Sequence, residues 1–308
     1  GSFDLDLEAA RESLRKHVAA PLDMTVEEAA VSVRDIVDSK LASAVRVVSV
    51  KKGNDPREFS LVGYGGAGPM HACDVAAELG VDEVIFPRDP GIMSAFGLTV
   101  SDITHNYVRS VVEAVSALDV DEANRVIADL LGRGAEELDT EGLPAATQQF
   151  GVAFEMMYAG QAHQLTVPVV EDLGRDAIGD GVLDGDRLEA VVDRFEAEHE
   201  RRFGFVDDHA DVRVTNVRAT AVGEVDRPAV AAPAGRGSVA DARLETREVV
   251  RDVNNVVAVP CYEWAALPSA ATIEGPAIAE LSNTTLWLPP GWDGRLDADR
   301  NLIGRRRA

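Results

Sequence analysis

The stretch from Phe59 to Gly80, FSLVGYGGAGPMHACDVAAELG, limits the fold more than any other part of the chain. Ser60 to Gly65 reads as a short apolar strand. Pro69 to Leu79 reads as a helix, with proline at its first position, apolar Met70, Cys73, Val75, Ala76 and Leu79, and Gly80 as the stop. Between them lies the turn Gly65-Gly66-Ala67-Gly68-Pro69. Strand, glycine turn and helix together aim backbone N–H groups and a helix N-terminus at one point, an arrangement suited to an anion. It is also a common way for an α/β protein to turn a corner. The fuller dinucleotide and P-loop patterns are both absent, so spacing alone leaves both readings open.

The flanking sequence continues the alternation. Apolar residues from Val26 to Val48 recur at helical spacing, so a helix is expected over 26–51, opened by a Thr25/Glu28 capping box and ended at Gly53. Asn54-Asp55-Pro56 forces a turn into the glycine stretch. After Gly80, EVIFP (83–87) reads as a strand, followed by the loop Arg88-Asp89-Pro90-Gly91. From Ile103 the order becomes β-α-β-β-α-β. Strands are expected at ITHNYVRSVV, QQFGVAFEMMYAG, HQLTVPVV and VRVTNVRATAVGEV, and helices at 120–140 and 186–203. That order matches the ferredoxin-like, split βαβ plan. Pro228 to Gly237 is rich in Pro, Ala and Gly and reads as a linker. Short strands and turns then suggest a small β-rich tail. The expected division is 3–102, 103–227 and 238–308, in a chain of mixed α/β and α+β class.

Composition narrows the function classes. The 308 residues carry a formal net charge of -23, which repels phosphate backbones and argues against nucleic acid as a partner. No apolar run approaches the ~18 residues of a membrane span. Two cysteines, Cys73 and Cys261, are too few for a disulfide framework, and a reducing, cytoplasmic setting is expected. Gly1-Ser2 reads as a cloning scar, so the native start is expected elsewhere.

Several stretches together resemble the hydantoinase/5-oxoprolinase family, specifically its hydantoinase A type of chain. The matching residues are Gly53, Asp55, Pro56, Arg57 and Phe59; Gly65 to Pro69 with His71; and Pro90, Gly91, Ser94, Ala95, Gly97, Leu98 and Asp102. Two distant segments also match, YAGQAHQLTVPV (158–169) and IEGPAIAELSNTTLWLPPGW (273–292). The family is similar in fold to actin-like ATPases. The resemblance therefore implies that 3–102 is the C-terminal portion of an actin-like ATPase core, followed by the ferredoxin-like unit and the β-rich tail. It favours the nucleotide reading of the turn, with Gly65, Gly66, Ala67, Gly68, Pro69 and His71 as the cofactor-binding residues and ATP with Mg as the cofactor of the complete enzyme.

The activity implied is ATP-dependent opening of cyclic amides such as hydantoins or 5-oxoproline; some relatives carboxylate ketones. An amide carbonyl is a poor electrophile, and phosphorylating its oxygen creates a better leaving group. The early D-x-G-G-T phosphate loop of such proteins is absent here. The chain thus resembles a C-terminal portion that is expected to be inactive alone. Its implied partners are the remaining N-terminal ATPase part, a hydantoinase B type subunit and a small cyclic amide. The alternative is a non-catalytic docking module of a multi-subunit hydrolase or ketone carboxylase. No catalytic residue and no metal ligand can be assigned from the sequence. His71 with Cys73 is a weak metal pair, His163 reads more readily as a structural hydrogen-bonding group, and Asp89 and Asp102 read as helix caps.

Overall fold

The structure is a computed structural model and describes residues 6–179, 181–207, 209–227, 237–253 and 255–307. Its elements in chain order are helices α1 (Leu7–Leu14) and α2 (Val26–Val48), strand β1 (Leu61–Val62), α3 (Gly68–Leu79), β2 (Glu83–Phe86) and α4 (Met93–Val100). Next come β3 (Ile103–Ala114), α5 (Val120–Thr140), β4 (Gln148–Tyr158), β5 (Leu165–Gly174), α6 (Gly185–Phe203) and β6 (Val212–Gly223). The last seven strands are β7 (Arg243–Asp252), β8 (Asn255–Glu263), β9 (Thr272–Glu274), β10 (Ala277–Glu280), β11 (Thr285–Leu288), β12 (Trp292–Leu296) and β13 (Leu302–Arg306). The chain forms two compact units: residues 99–228 make one, and the segments on either side of them make the other.

The discontinuous unit holds two sheets. One has the order β1-β2-β13-β12-β9; β1 and β2 run parallel and the other neighbours antiparallel. The second has the order β11-β10-β8-β7. The C-terminal strands expected as a separate tail therefore complete the sheet begun by the glycine stretch, since Leu302 to Arg305 of β13 pairs with Phe86 to Glu83 of β2. The shared core explains why. Val84 and Phe86 of β2 are buried in one cluster with Ala72, Cys73 and Val75 of α3 and with Leu288, Trp292 and Leu302 of the C-terminal strands. Helix α2 opens on the expected capping box, with Thr25 and Glu28 bonded reciprocally, and the chain leaves its C-terminal turn through Gly53 at φ 82°.

The continuous unit has the expected β-α-β-β-α-β order. Its sheet order is β3-β6-β4-β5, antiparallel throughout. A ferredoxin-like sheet has the first and third strands of the unit in its middle; here the fourth (β6) and the second (β4) hold that place. Periodicity dictates which segments are strands, whereas pairing is decided by which faces the helices cover. Phe150, Val152, Phe154, Met156 and Tyr158 of β4 alternate into a core shared with Ile127, Leu130, Leu131 and Leu138 of α5 and with Val191 and Phe195 of α6. The linker expected at Pro228–Gly237 lies, apart from Gly237, outside the described residues, as does Gly1-Ser2.

Candidate functional site

The expected strand over 60–65 shortens to Leu61–Val62, because the chain leaves the ladder once Gly63 N–H has donated to Ile85 O at 2.9 Å. The backbone then turns through Gly65, whose φ of 88° lies in the left-handed region that glycine tolerates. Gly66 is not in that region, and a Cβ built on it meets nothing within 4 Å. Helix α3 follows, with Pro69 in its first turn. Its N-cap, Ala67, offers no side-chain hydrogen bond. No acceptor among the described residues takes the amide protons of Gly66, Ala67 and Gly68. Free amides at an uncapped helix start form an electropositive, solvent-facing cradle.

Two further stretches converge on this turn. The loop after β2 is tied to it, because Gly65 N–H donates to Pro90 O at 2.7 Å. The β10–β11 turn reaches it from the C-terminal segment. Thr284 Oγ1 donates to Gly66 O at 2.8 Å, and a Cβ at Gly91 would fall on the Asn283 side chain. Sequence reasoning gave no role to Thr284 or Asn283. Their place in the matching segment 273–292 was the available signal.

His71 has a different attachment. Its Nδ1 lies 2.7 Å from Asp38 Oδ1 on α2. Asp38 is 6% exposed. Burial pushes the Asp38 carboxyl up from the usual aspartate range, while the His71 hydrogen bond and charge pull it back. Beside them Arg251 of β7 pairs with Asp74 at 2.8 Å, and Arg46 and Ser39 of α2 both bond Glu78 of α3. His71 thus forms part of a polar seam fastening α3 to α2. His71→Ala would leave Asp38 buried without its partner and is expected to destabilise this unit by about 3 kcal/mol near neutrality. The deficit should shrink in acid. A carboxyl with a raised folded pKa binds its proton more tightly folded than unfolded, so stability falls as pH rises across that window. Removing His71 widens the window upward. Urea unfolding of wild type and variant at pH 5 and pH 8 checks this; equal deficits at both would be the contrary result.

The other expected residues have structural partners or are plainly exposed. Cys73 is fully buried, and burial pushes its thiol up, which makes it a poor nucleophile. Asp89 pairs with Arg88. Asp102 accepts from Val225 N–H at 3.2 Å and from Arg227 at 3.0 Å. His163 is exposed in the β4–β5 turn. Gln161 of that turn lies 3.1 Å from Nε2 of His199, a residue that sequence reasoning missed. His199 is 1% exposed. Its Nδ1 donates to Phe205 O at 2.8 Å, and the rings of Tyr158, Phe203 and Phe205 lie within 5 Å of its own, at centroid separations of 4.8, 4.7 and 4.9 Å. Among the described residues no three His, Cys, Asp or Glu side chains group to hold a metal ion, and no helix is long and apolar enough to cross a membrane.

The glycine turn lies within residues 1–107, which match the hydantoinase/oxoprolinase family model, and residues 112–305 match the model of the hydantoinase/oxoprolinase C-terminal domain. The chain belongs to the hydantoinase/oxoprolinase family. This family member is 28% identical to the caprolactamase subunit alpha of Pseudomonas jessenii, over 96% of its own length and 42% of the relative's. It is 26% identical to the acetone carboxylase beta subunit of Xanthobacter autotrophicus, over 97% of its length and 42% of that subunit. A 5-oxoprolinase of Pestalotiopsis fici matches 91% of the chain at 26% identity, using 21% of the relative. Among solved structures, the crystal structure of the ATP-dependent caprolactamase from Pseudomonas jessenii superposes with a TM-score of 0.79 at 27% identity, covering 99% of this chain and 44% of that one. The chain spans less than half the length of these relatives. The hydantoinase/oxoprolinase chain is accordingly a mixed α/β protein with several sheets, close in fold to the matching part of the caprolactamase.

Proposed function

We propose that this chain is the C-terminal portion of an ATP-dependent enzyme that opens a cyclic amide, and that it contributes the glycine turn receiving the adenosine side of the nucleotide. The observation that carries the reading is the convergence of 65–71, 90–91 and 283–284 on an uncapped helix start with three free amides. Relatives bearing the names caprolactamase and 5-oxoprolinase, one of them solved as ATP-dependent, support it. On this reading 3–102 is the last piece of an actin-like core, and the enzyme works in the cytoplasm.

The residues fit the nucleotide. Among the described residues nothing comes within 4 Å of a Cβ built on Gly65 or Gly66, so backbone can approach a ligand closely there. ATP, when bound, supplies the phosphoryl group that turns the amide oxygen into a leaving group. This chain's part is binding and orientation: the Gly66, Ala67 and Gly68 amides face the ligand, and Pro90 holds the Gly65 amide back from it. Magnesium and the reacting phosphates belong with the missing D-x-G-G-T part, so the isolated 308 residues are inactive. Relatives that are subunits suggest a partner chain of the hydantoinase B type. The carboxylase relatives sustain a second reading, in which the same portion serves a ketone carboxylase or docks without turnover.

Photolabelling the full-length protein with an azido-ATP analogue tests the nucleotide assignment. Trypsin would release Glu58–Arg88 as one peptide, and the label is expected on it. Labelling confined to other peptides would overturn the assignment. ATP-dependent opening of a lactam or hydantoin, set against carboxylation of a ketone, separates the two activities.

A further inference from the structure

The β10–β11 turn has no part in nucleotide contact as described above, yet it touches the glycine turn from behind. Thr284 is buried, and its hydroxyl donates to the Gly66 carbonyl at 2.8 Å. The hydroxyl is held in place by its hairpin, in which Glu280 pairs with Thr285 and Leu281 N–H donates to Thr284 O at 3.0 Å. The peptide group joining Gly66 to Ala67 is planar and trans, so its C=O and N–H point in opposite directions. Holding the Gly66 oxygen back therefore aims the Ala67 N–H outward, toward the cradle. Without that anchor the peptide is restrained only by φ of Ala67, at −111°, because Gly66, which supplies the other torsion, has no side chain.

The geometry points to Thr284 as a positioning residue that locks the Gly66–Ala67 peptide with its N–H facing the adenosine side of the nucleotide. This rests on the nucleotide reading of the turn. It makes the C-terminal hairpin part of the binding site although it touches no ligand.

The test is calorimetric titration of ATP into the full-length protein, comparing wild type with Thr284→Val, Thr284→Ala and Thr284→Ser, and with Gly66→Val as a pocket-blocking reference. Loss of the hydroxyl is expected to weaken ATP roughly 5–30-fold. Serine, which keeps the hydroxyl, should restore affinity to within about twofold. The alanine variant serves if valine prevents folding. Wild-type affinity in Thr284→Val or Thr284→Ala would overturn the proposal while leaving the nucleotide reading intact, provided Gly66→Val still abolishes binding. Serine as weak as valine would also overturn it, since packing and not the hydroxyl would then matter. A wild-type protein that binds no ATP would defeat the nucleotide reading, and this inference with it.

Discussion

Gly66→Val in the full-length protein is expected to lose at least ~100-fold in ATP affinity while keeping its fold, a change of ~2.8 kcal/mol or more. The backbone at Gly66 is outside the left-handed region, and a Cβ there meets no atom of the described residues within 4 Å. Folding therefore has little to resist. The added branches would occupy the space a bound nucleotide needs, and a steric block costs more than the loss of one ordinary hydrogen bond of about 1 kcal/mol. Gly65→Val is the instructive comparison. Its φ of 88° strains any side chain, so that variant should lose stability as well as binding. Calorimetric titration with circular dichroism as the folding control separates the two. A folded Gly66→Val protein with wild-type affinity would return the turn to the status of a corner between strand and helix.

His199→Leu is expected to destabilise the continuous unit by about 1–3 kcal/mol. The leucine fills much of the same volume but bonds neither Phe205 O nor Gln161, and each lost hydrogen bond of the buried imidazole to these partly exposed partners costs about 0.5–1.5 kcal/mol. The Phe205 carbonyl takes the Nδ1 proton, and Nε2 lies 3.1 Å from Gln161 Oε1, so both ring nitrogens have an oxygen partner. His199→Asn keeps a donor near the Nδ1 position and should cost less than leucine. Hydrogen exchange at β4 and α6 amides reads this unit directly, which a global melt of two units would not. Equal protection in the leucine variant would show that the carbonyl finds water instead.

The elements of the fold were legible wherever one local signal dominated. Helix α5 occupies 120–140 as read, because its apolar face is strongly periodic and Asp119 caps it through the amides of Asp121 and Glu122. The alternation in β4 was equally plain. Strand order was not legible, since β6 lies between β3 and β4 for reasons of face coverage that no window of sequence contains. The glycine turn was legible as a turn, but the atoms that fix it were not. Asp38 with His71, Thr284 with Gly66 and Gln161 with His199 are partners distant in sequence. Each side chain alone looks like an ordinary polar residue.

The pairing of β13 with β2 imposes an order of assembly during synthesis. Leu302 sits opposite Phe86, so a ribosome adding ~5–20 residues per second needs roughly 10–40 s to make the strand that β2 awaits. Throughout that interval β2 has β1 on one side and an open edge on the other, and well before it ends the 99–228 unit receives its last strand, β6. The intervening unit can mature first, and the sheet that carries the glycine turn closes last.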